Sequence, residues 1–142
     1  MINIKTIEEL SIGMVETYEK IITESDVEAF ANLSGDHNPV HLDENFAKKT
    51  IFKKRIAHGL MSASFFSGIF GMKLPGYGSI YVSQSLRFSK PVYIGDKVIA
   101  KVEITKIDIL KSRVFFKTSC SVEGKKVIDG EAEIYILPIQ DM

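Results

Sequence analysis

The 142-residue sequence has one cysteine, Cys120, no tryptophan and no excess of either charge. A single cysteine excludes an internal disulfide and any metal site built from several thiolates, and it fits a reducing compartment such as the cytoplasm. Lysine plus arginine and aspartate plus glutamate each number 18, so the formal net charge is zero. No overall field therefore attracts the chain to nucleic acid or to an anionic membrane surface.

Long apolar segments are also missing. The first ten residues mix acidic and basic side chains and lack the apolar core of a signal peptide. The longest apolar stretch, Ile56 to Met72, is broken by His58, three glycines and three serines, so we predict no membrane-spanning helix and a cytoplasmic location. With 45% hydrophobic residues, the chain can fill one core but is too short for two ordinary ones. We predict a single domain over residues 1–142.

Alternating apolar and polar residues in the second half predict four β-strands, each with one apolar face. These strands are Ile80–Phe88, Val98–Ile104, Val114–Val122 and Ile128–Ile136. A further strand is predicted over Val15–Ile22. Turns at Gly95-Asp96 and Glu123-Gly124 make the last strands antiparallel neighbours, because the connections are short.

The helices are marked by capping residues and by one strongly apolar segment. A capping box at Thr23–Asp26 begins a helix that Gly35 ends, and a second short helix is predicted from Asp43 to about Lys49. The segment from Gly59 to about Phe70 is apolar nearly all round, which is typical of a helix buried on most of its faces. The predicted fold class is α+β, with a curved antiparallel sheet wrapped around a long central helix.

The segment Ser-Gly-Asp-His-Asn-Pro-Val-His, residues 34–41, sets the carboxylate of Asp36 five residues before the imidazole of His41. Pro39 fixes its own φ and pushes Asn38 toward an extended conformation, so the backbone itself creates the reversal. A neutral imidazole exchanges protons near neutral pH, and a carboxylate can orient it or act as the opposite partner. Such a pair suits the addition or elimination of water. The structural alternative is that Asp36 caps a turn and His41 is a core residue.

Three separated motifs carry a resemblance to a known family. They are Leu33-Ser-Gly-Asp-His-Asn-Pro-Val-His-Leu-Asp, Ala57-His-Gly-Leu-Met-Ser-Ala-Ser-Phe-Phe-Ser-Gly and Leu74-Pro-Gly-Tyr-Gly-Ser-Ile-Tyr. In this order they are similar to the R-specific enoyl-CoA hydratases, the MaoC-like hydratase 2 group of hot-dog proteins. The resemblance implies a hot-dog fold, usually a homodimer, that hydrates trans-2-enoyl thioesters to (R)-3-hydroxyacyl thioesters without metal or redox cofactor.

The resemblance also implies roles for individual residues. The catalytic aspartate and histidine of the family match Asp36 and His41, which would hold the water that adds to the double bond. We expect His41 to act as the base and Asp36 to orient the water and help deliver the proton to the α-carbon. The backbone N–H that contacts the oxyanion matches Gly59, at a helix N-terminus suited to that task. Ser67 matches the serine that supports the catalytic aspartate by a hydrogen bond.

Two further polar residues are candidates for substrate binding. Asn before Pro is a common turn former, so we expect Asn38 to be structural and to shape the carbonyl pocket. We expect His58 to position the loop before the oxyanion glycine. A metal site from Asp36, His37 and His41 is possible by ligand type, but so crowded a spacing is not a usual tetrahedral arrangement, and we predict none.

One concentrated basic stretch lies close in sequence to these motifs. Its members are Lys48, Lys49, Lys53, Lys54 and Arg55. We expect Lys53, Lys54 and Arg55 to meet the phosphates of coenzyme A or the phosphopantetheine arm of a carrier protein; a solvated loop is the equal alternative. The family often carries a proline where this chain has Arg55. Cys120 falls on an inward strand face and is predicted to be a core residue.

The favoured function is hydration of short- to medium-chain enoyl-CoA, in fatty-acid metabolism or supplying polyhydroxyalkanoate synthesis, or the reverse dehydration. The alternatives are an acyl-carrier-protein dehydratase, a thioesterase on the same scaffold and a non-catalytic acyl-thioester-binding domain. The Asp36/His41 pair and the His58-Gly59 step argue against the thioesterase. A homodimer is expected from the family and because the edge strand Ile80–Phe88 needs protection from open pairing.

Overall fold

The computed structural model describes residues 6–138, which form one antiparallel sheet and several helices. The strands are β1 (Val15–Ile21), β2 (Ser79–Gln84), β3 (Arg87–Phe88), β4 (Lys97–Asp108), β5 (Arg113–Val122) and β6 (Lys125–Ile136). The helices are α1 (Glu24–Ser34), α2 (Pro39–Leu42), α3 (Glu44–Ala47) and α4 (Gly59–Met72), with a 3₁₀ turn at Ile7–Glu9.

The strand order in the sheet is β1-β4-β5-β6-β2, and β3 pairs with β6 beside β2. The β5–β6 hairpin closes at Glu123 and Gly124, whose φ angles of 50° and 76° are both positive. Two positive φ values in a two-residue hairpin match the right-handed twist of the flanking strands. The hairpin predicted at Glu123-Gly124 is therefore confirmed. The Gly95-Asp96 turn does not join neighbouring strands, because β2 and β3 pair with β6 and not with β4. Among the described strands, β1 and β2 are the edges of the sheet.

The core lies between α4 and the inward face of the sheet. Helix α4 contacts β1, β2, β4 and β5. The inward side chains are buried, and they are the ones that alternation predicts for the last three strands: Val98, Ala100, Val102, Ile104, Val114, Phe116, Cys120, Ile128, Ala132 and Ile134. Cys120 is fully buried in this core, as predicted, and its burial raises the pKa of the thiol to about 12.

The strand predicted over Ile80–Phe88 differs from the structure in two ways. It is split into β2 and β3, with a register shift between Tyr81 and Ser83. The predicted apolar face is confirmed only in part, because Leu86 packs against the core whereas Ile80, Val82 and Phe88 are exposed. The Tyr81 ring, although 39% exposed, meets Phe70 edge-on with ring centroids 5.3 Å apart. A bulge on an edge strand shifts the alternation and so defeats a prediction from periodicity.

Helix α4 has 14 residues and two faces. Its inward face is buried and consists of Met61, Ser62, Ala63, Phe66, Ile69 and Phe70. The opposite face is exposed; Leu60 is 59% exposed, and Ser64, Ser67 and Gly68 share that surface. The prediction of burial on most faces is therefore wrong for a single chain. None of the helices in residues 6–138 is long and apolar enough to cross a membrane.

The capping residues behave as predicted. The Thr23 hydroxyl accepts from the Asp26 N–H, and the Asp26 carboxylate accepts from the Thr23 N–H. Gly35 ends α1 at φ 81°, a left-handed conformation that glycine adopts without strain. The Asp43 side chain caps α3, which ends at Ala47 and is shorter than predicted. The turn α2, between α1 and α3, was not predicted as a helix.

Gly130 allows the chain between β2 and β3 to cross close over β6. A Cβ atom built on Gly130 would lie 1.8 Å from the Ser85 carbonyl oxygen. Thr118 is the partner of Gly130 across the β5–β6 ladder. Because Gly130 has no side chain, the Gln84 amide reaches past it and donates to the buried Thr118 hydroxyl at 2.9 Å.

We expect Gly130→Ala to lower the free energy of unfolding by ~3 kcal/mol, because the added methyl meets backbone and forces β2 away from β6. Chemical denaturation measures this loss. The control is Lys117→Ala on the outer face of the same strand pair, which should change stability by less than ~0.5 kcal/mol. Equal stability of Gly130→Ala and the wild type would contradict the close crossing.

Candidate active site

The turn after α1 presents the Asp36 carboxylate. The Asp36 N–H donates to the Ser34 hydroxyl, and Oδ1 of Asp36 accepts from the Asn38 N–H, each at 3.1 Å. These two bonds hold the residue in a local turn. The other oxygen, Oδ2, faces Nε2 of His41 at 3.8 Å. The structure therefore brings together the predicted carboxylate and imidazole.

His41 lies in α2 and is buried. Its Nδ1 is 2.7 Å from the Ile56 carbonyl oxygen. Because a carbonyl oxygen only accepts, this bond assigns the imidazole proton to Nδ1 and leaves the lone pair on Nε2, facing Asp36. The pKa of His41 lies below its usual value because burial outweighs the hydrogen bond to the Ile56 carbonyl, which raises it; the smaller effects of His58 and Asp36 lower and raise it, respectively. The imidazole is therefore neutral at pH 7.

The separation between Oδ2 of Asp36 and Nε2 of His41 has a chemical consequence. At 3.8 Å it is too long for a direct hydrogen bond, and a water molecule can bond to both atoms at ordinary distances of ~2.8 Å. Such a water would donate to the Nε2 lone pair. The pair can therefore hold one water molecule between a proton-accepting nitrogen and a carboxylate.

His58 contacts both members of this pair. Its ring stacks on that of His41, with centroids 3.8 Å apart and an interplanar angle of 28°. Its Nε2 donates to the Asp36 carbonyl oxygen at 3.0 Å, while Nδ1 is buried without a partner among the described residues. The prediction gave His58 a role in the loop before Gly59; the structure also places it against Asp36 and His41.

Gly59 is the first residue of α4, and its N-cap, His58, makes no side-chain capping bond. The first N–H groups of a helix have no partner within the helix, and the helix dipole makes this end attractive to negative charge. A Cβ on Gly59 would lie 2.7 Å from Cδ1 and Cε1 of Phe88. Glycine thus lets the Phe88 ring approach the helix N-terminus.

These groups open into one cavity with a volume of about 700 Å³. Its polar lining includes Asp36, His41, His58 and Gly59, and its apolar lining includes Phe30, Phe52, Phe88, Val92 and Ile128. A mostly apolar cavity of this size with a few convergent polar groups is typical of a small-molecule site. Phe88 and Lys90, which also line it, were not predicted as site residues, since only the fold brings β3 to the start of α4.

Two predicted site residues lie outside this constellation. Asn38 is exposed, and its side chain accepts from the Val40 N–H to cap α2. Ser67 is exposed on α4, roughly 12 Å along the helix axis from Gly59. Within the described part of one chain the Ser67 hydroxyl makes no hydrogen bond to Asp36.

The basic stretch divides into residues with different surroundings. Lys53 is exposed at φ 67°. The Lys54 ammonium lies 5.1 Å from the centroid of the Tyr93 ring. Arg55 turns inward, where it donates to the His41 carbonyl oxygen and to Glu24. The predicted residues Lys53, Lys54 and Arg55 are not among the cavity lining, whereas Lys90 is.

The ligand atoms of Asp36, His41 and His58 lie within 4.8 Å of one another, which is close enough to consider a metal ion. The two rings are stacked, however, so an ion in the plane of one ring would lie well outside the plane of the other. This is a poor arrangement for two imidazole ligands of one ion. His37, part of the site weighed from the sequence, bonds instead to Asn32 and to the Gly35 carbonyl.

The chain is similar to known proteins in sequence and in fold. Residues 11–130 match the family described as MaoC like domain. The chain is 49% identical to the (R)-specific enoyl-CoA hydratase of Rhodospirillum rubrum over 91% of this chain and 90% of that protein. It is 45% identical to the 3-hydroxybutyryl-CoA dehydratase of Methylorubrum extorquens, over 91% of this chain and 82% of that protein.

A solved structure shares the architecture. It is an (R)-hydratase from A. caviae described as involved in PHA biosynthesis, with a TM-score of 0.89, 41% identity, and coverage of 92% of this chain and 99% of that chain. The antiparallel sheet and α4 therefore form the predicted hot-dog fold. The chain belongs to the MaoC-like domain family.

Proposed function

We propose that this protein is an R-specific enoyl-CoA hydratase, which adds water to trans-2-enoyl-CoA of short to medium chain length and catalyses the reverse dehydration. One observation carries the proposal: a neutral imidazole directs its lone pair at a carboxylate 3.8 Å away, beside a helix N-terminus in an apolar cavity. The activities named for the relatives support it, and a link to polyhydroxyalkanoate synthesis is supported by the solved (R)-hydratase.

In this mechanism His41 and Asp36 hold the water at the β-carbon of the substrate. Nε2 of His41 removes one proton as the water oxygen bonds to that carbon. The electrons of the double bond move to the thioester carbonyl and form an enolate. The Asp36–His41 pair then returns the proton to the α-carbon, so both parts of the water end in the product.

The N-terminus of α4 is suited to the enolate. The Gly59 N–H would donate to the thioester oxygen, where negative charge develops during the reaction. A fixed donor at this position stabilises the transition state more than the ground state, because the charge is larger there. We propose no cofactor, since the two side chains and this backbone donor supply every step.

Basic residues near the cavity are proposed to contact the phosphates of coenzyme A. Lys90 lines the cavity, and Lys53 and Lys54 are both exposed and precede the segment that leads to α4. Each ammonium can approach a phosphate without leaving an ion pair, since none forms one with a described residue. An acyl carrier protein, whose phosphopantetheine arm carries a phosphate, is the alternative thiol carrier.

A homodimer is proposed from two surfaces of the single chain. The outer edge of β2 pairs with no strand of the described residues 6–138 and carries the exposed Ile80 and Val82. The exposed face of α4 bears small residues, Ser64, Ser67 and Gly68, that allow close approach of a second helix. A second copy covering both surfaces would protect the edge. It would also present its own Ser67 to Asp36, which Ser67 does not reach within one chain.

The activity test is loss of the enoyl-thioester absorbance of crotonyl-CoA, with chiral analysis of the product. We expect (R)-3-hydroxybutyryl-CoA, and a loss of ~100- to 10,000-fold in kcat for Asp36→Asn and for His41→Gln, because each removes a proton-transfer group. The matched control is His37→Gln, in the same segment but bonded to Asn32 and Gly35, which should retain activity. Turnover in both Asp36→Asn and His41→Gln would contradict the mechanism.

The pH dependence follows from the burial of His41. Burial lowers the pKa of His41 from its usual value and the neutral form is the base, so the acid limb of kcat/KM should be centred below the usual imidazole pKa of about 6.5. Steady-state kinetics give this profile, and ¹⁵N NMR of the imidazole should show Nδ1 protonated at pH 7. An acid limb centred above pH 6.5 would show that His41 is not held neutral by burial.

Mixed dimers test the contribution of Ser67. We expect Ser67→Ala to lower kcat by about tenfold, the order of one neutral hydrogen bond to a catalytic group. A heterodimer of Asp36→Asn and Ser67→Ala chains, purified with two tags, should have about half the wild-type activity, because one site then keeps Asp36 and the other chain's Ser67.

The control heterodimer pairs Asp36→Asn with Ser64→Ala, since Ser64 shares the face but bonds to the Met61 carbonyl; it should also have about half the wild-type activity. If Ser67 acts within its own chain, the Ser67→Ala heterodimer will instead have about half of the Ser67→Ala activity. A monomer in light scattering would contradict the dimer itself.

A further inference from the structure

Arg55 connects the segment before α4 to the helical turn that carries His41. Its Nε donates to the His41 carbonyl oxygen at 2.7 Å, and its Nη1 donates to Oε1 of Glu24, also at 2.7 Å. The Arg55 side chain is 10% exposed, whereas that of Glu24 is 63% exposed. The guanidinium therefore points into the protein and donates hydrogen bonds to two different groups.

We propose that Arg55 is a positioning residue for His41, and that it acts through the His41 backbone rather than by contact with substrate. The inference rests on the proposed function, because it assigns Arg55 to the placement of the base in that reaction. It departs from the role predicted for Arg55 from the sequence, which was binding of a phosphate.

Three hydrogen bonds join residues 40–41 to residues 55–56, and we call this set the His41 clasp. The Ile56 N–H donates to the Val40 carbonyl at 3.2 Å, Nδ1 of His41 donates to the Ile56 carbonyl at 2.7 Å, and Arg55 supplies the third bond. The clasp therefore holds both the main chain and the ring of His41. Loss of the Arg55 bond would leave the main chain of His41 with less support.

Helix α2 needs such support. It has four residues, far fewer than a helix requires to be stable by itself in water. Its geometry therefore depends on contacts outside the helix: the Asn38 cap at one end and Arg55 at the His41 carbonyl. A small displacement of α2 changes the distance between Nε2 of His41 and Oδ2 of Asp36, on which the proposed placement of the water depends.

The charges around His41 predict the direction of a second effect. Asp36 faces Nε2, His58 stacks on the ring, and Arg55 lies on the carbonyl with its charge offset by Glu24. Removing Arg55 takes away one of the three clasp bonds and a side chain that is only 10% exposed, so we expect water to reach the His41 ring more easily. Since burial is the main cause that lowers the His41 pKa, the acid limb of the pH profile should move to higher pH.

The kinetic test compares Arg55→Gln, Arg55→Lys and Glu24→Gln with the wild type. We expect Arg55→Gln to lower kcat by about tenfold with KM changed less than about twofold, and to move the acid limb of kcat/KM upward. Arg55→Lys should recover part of kcat by donating to the His41 carbonyl. Glu24→Gln keeps that donor and should lose less than Arg55→Gln.

The matched control is Arg113→Gln. Arg113 makes an ion pair of the same length with Glu133, 2.7 Å from Nη1 to Oε2, on the strands β5 and β6. It does not line the cavity. Arg113→Gln should leave kcat, KM and the pH profile unchanged. A change in this variant would show that losing any arginine ion pair affects the kinetics.

A second measurement does not require substrate. In ¹⁵N NMR of the free protein, the His41 imidazole should titrate at higher pH in Arg55→Gln than in the wild type, and at an unchanged pH in Arg113→Gln. This titration tests the positioning role even if the wild type proves inactive on every enoyl-CoA. Failure of this proposal can therefore be told apart from failure of the proposed function. If Arg55→Gln does not fold, Glu24→Gln and Arg55→Lys carry both measurements.

A rise in KM at unchanged kcat, with an unchanged His41 titration, would overturn the proposal and indicate that Arg55 binds a phosphate. Unchanged kcat, KM and titration in Arg55→Gln would also overturn it.

Discussion

The hydrogen bond from Nδ1 of His41 to the Ile56 carbonyl is the interaction on which the site depends. It spans 15 residues of sequence and is 2.7 Å long. By fixing the proton on Nδ1, it decides that Nε2 carries the lone pair, and so decides which chemistry the ring can perform. It also fixes the orientation of the ring toward Asp36. Without it, the same two side chains at the same sequence spacing would not define a base.

The segment that supplies this carbonyl is itself anchored to residues 92–93. Ile56 forms an isolated bridge with Tyr93, and the Ala57 N–H donates to the Val92 carbonyl at 2.7 Å. Three residues later Gly59 begins α4. The group that orients the base and the N–H proposed for the oxyanion therefore belong to one short, anchored stretch of backbone. Their spacing is set by covalent geometry and by the backbone contacts with residues 92–93, and flexible side chains have little influence on it.

The sequence predicts those features that depend on neighbours in the chain. The Thr23 capping box, the Gly35 helix end and the alternation in β4, β5 and β6 are local, and the structure confirms them. The sequence also predicts that Asp36 and His41 lie at the same turn. It could not show that His58 stacks on His41 or that Arg55 turns inward, since those contacts join residues 14 to 17 positions apart. The sequence does not predict the exposed face of α4, because the apolar content of a helix does not show which other elements pack against each of its faces.

The two side chains of the proposed reaction differ in their exposure to solvent. The His41 side chain is 10% exposed and that of Asp36 is 49% exposed. The base is thus enclosed by protein, which keeps it neutral, while the carboxylate is open on the side from which a substrate or a second chain would approach. A water between them would have one fixed partner and one partner whose surroundings change on binding. Closure over Asp36 would then strengthen its interaction with that water, because the local dielectric falls. In such a site the imidazole of His41 is held in place before substrate binds, whereas the surroundings of the Asp36 carboxylate are completed only on binding.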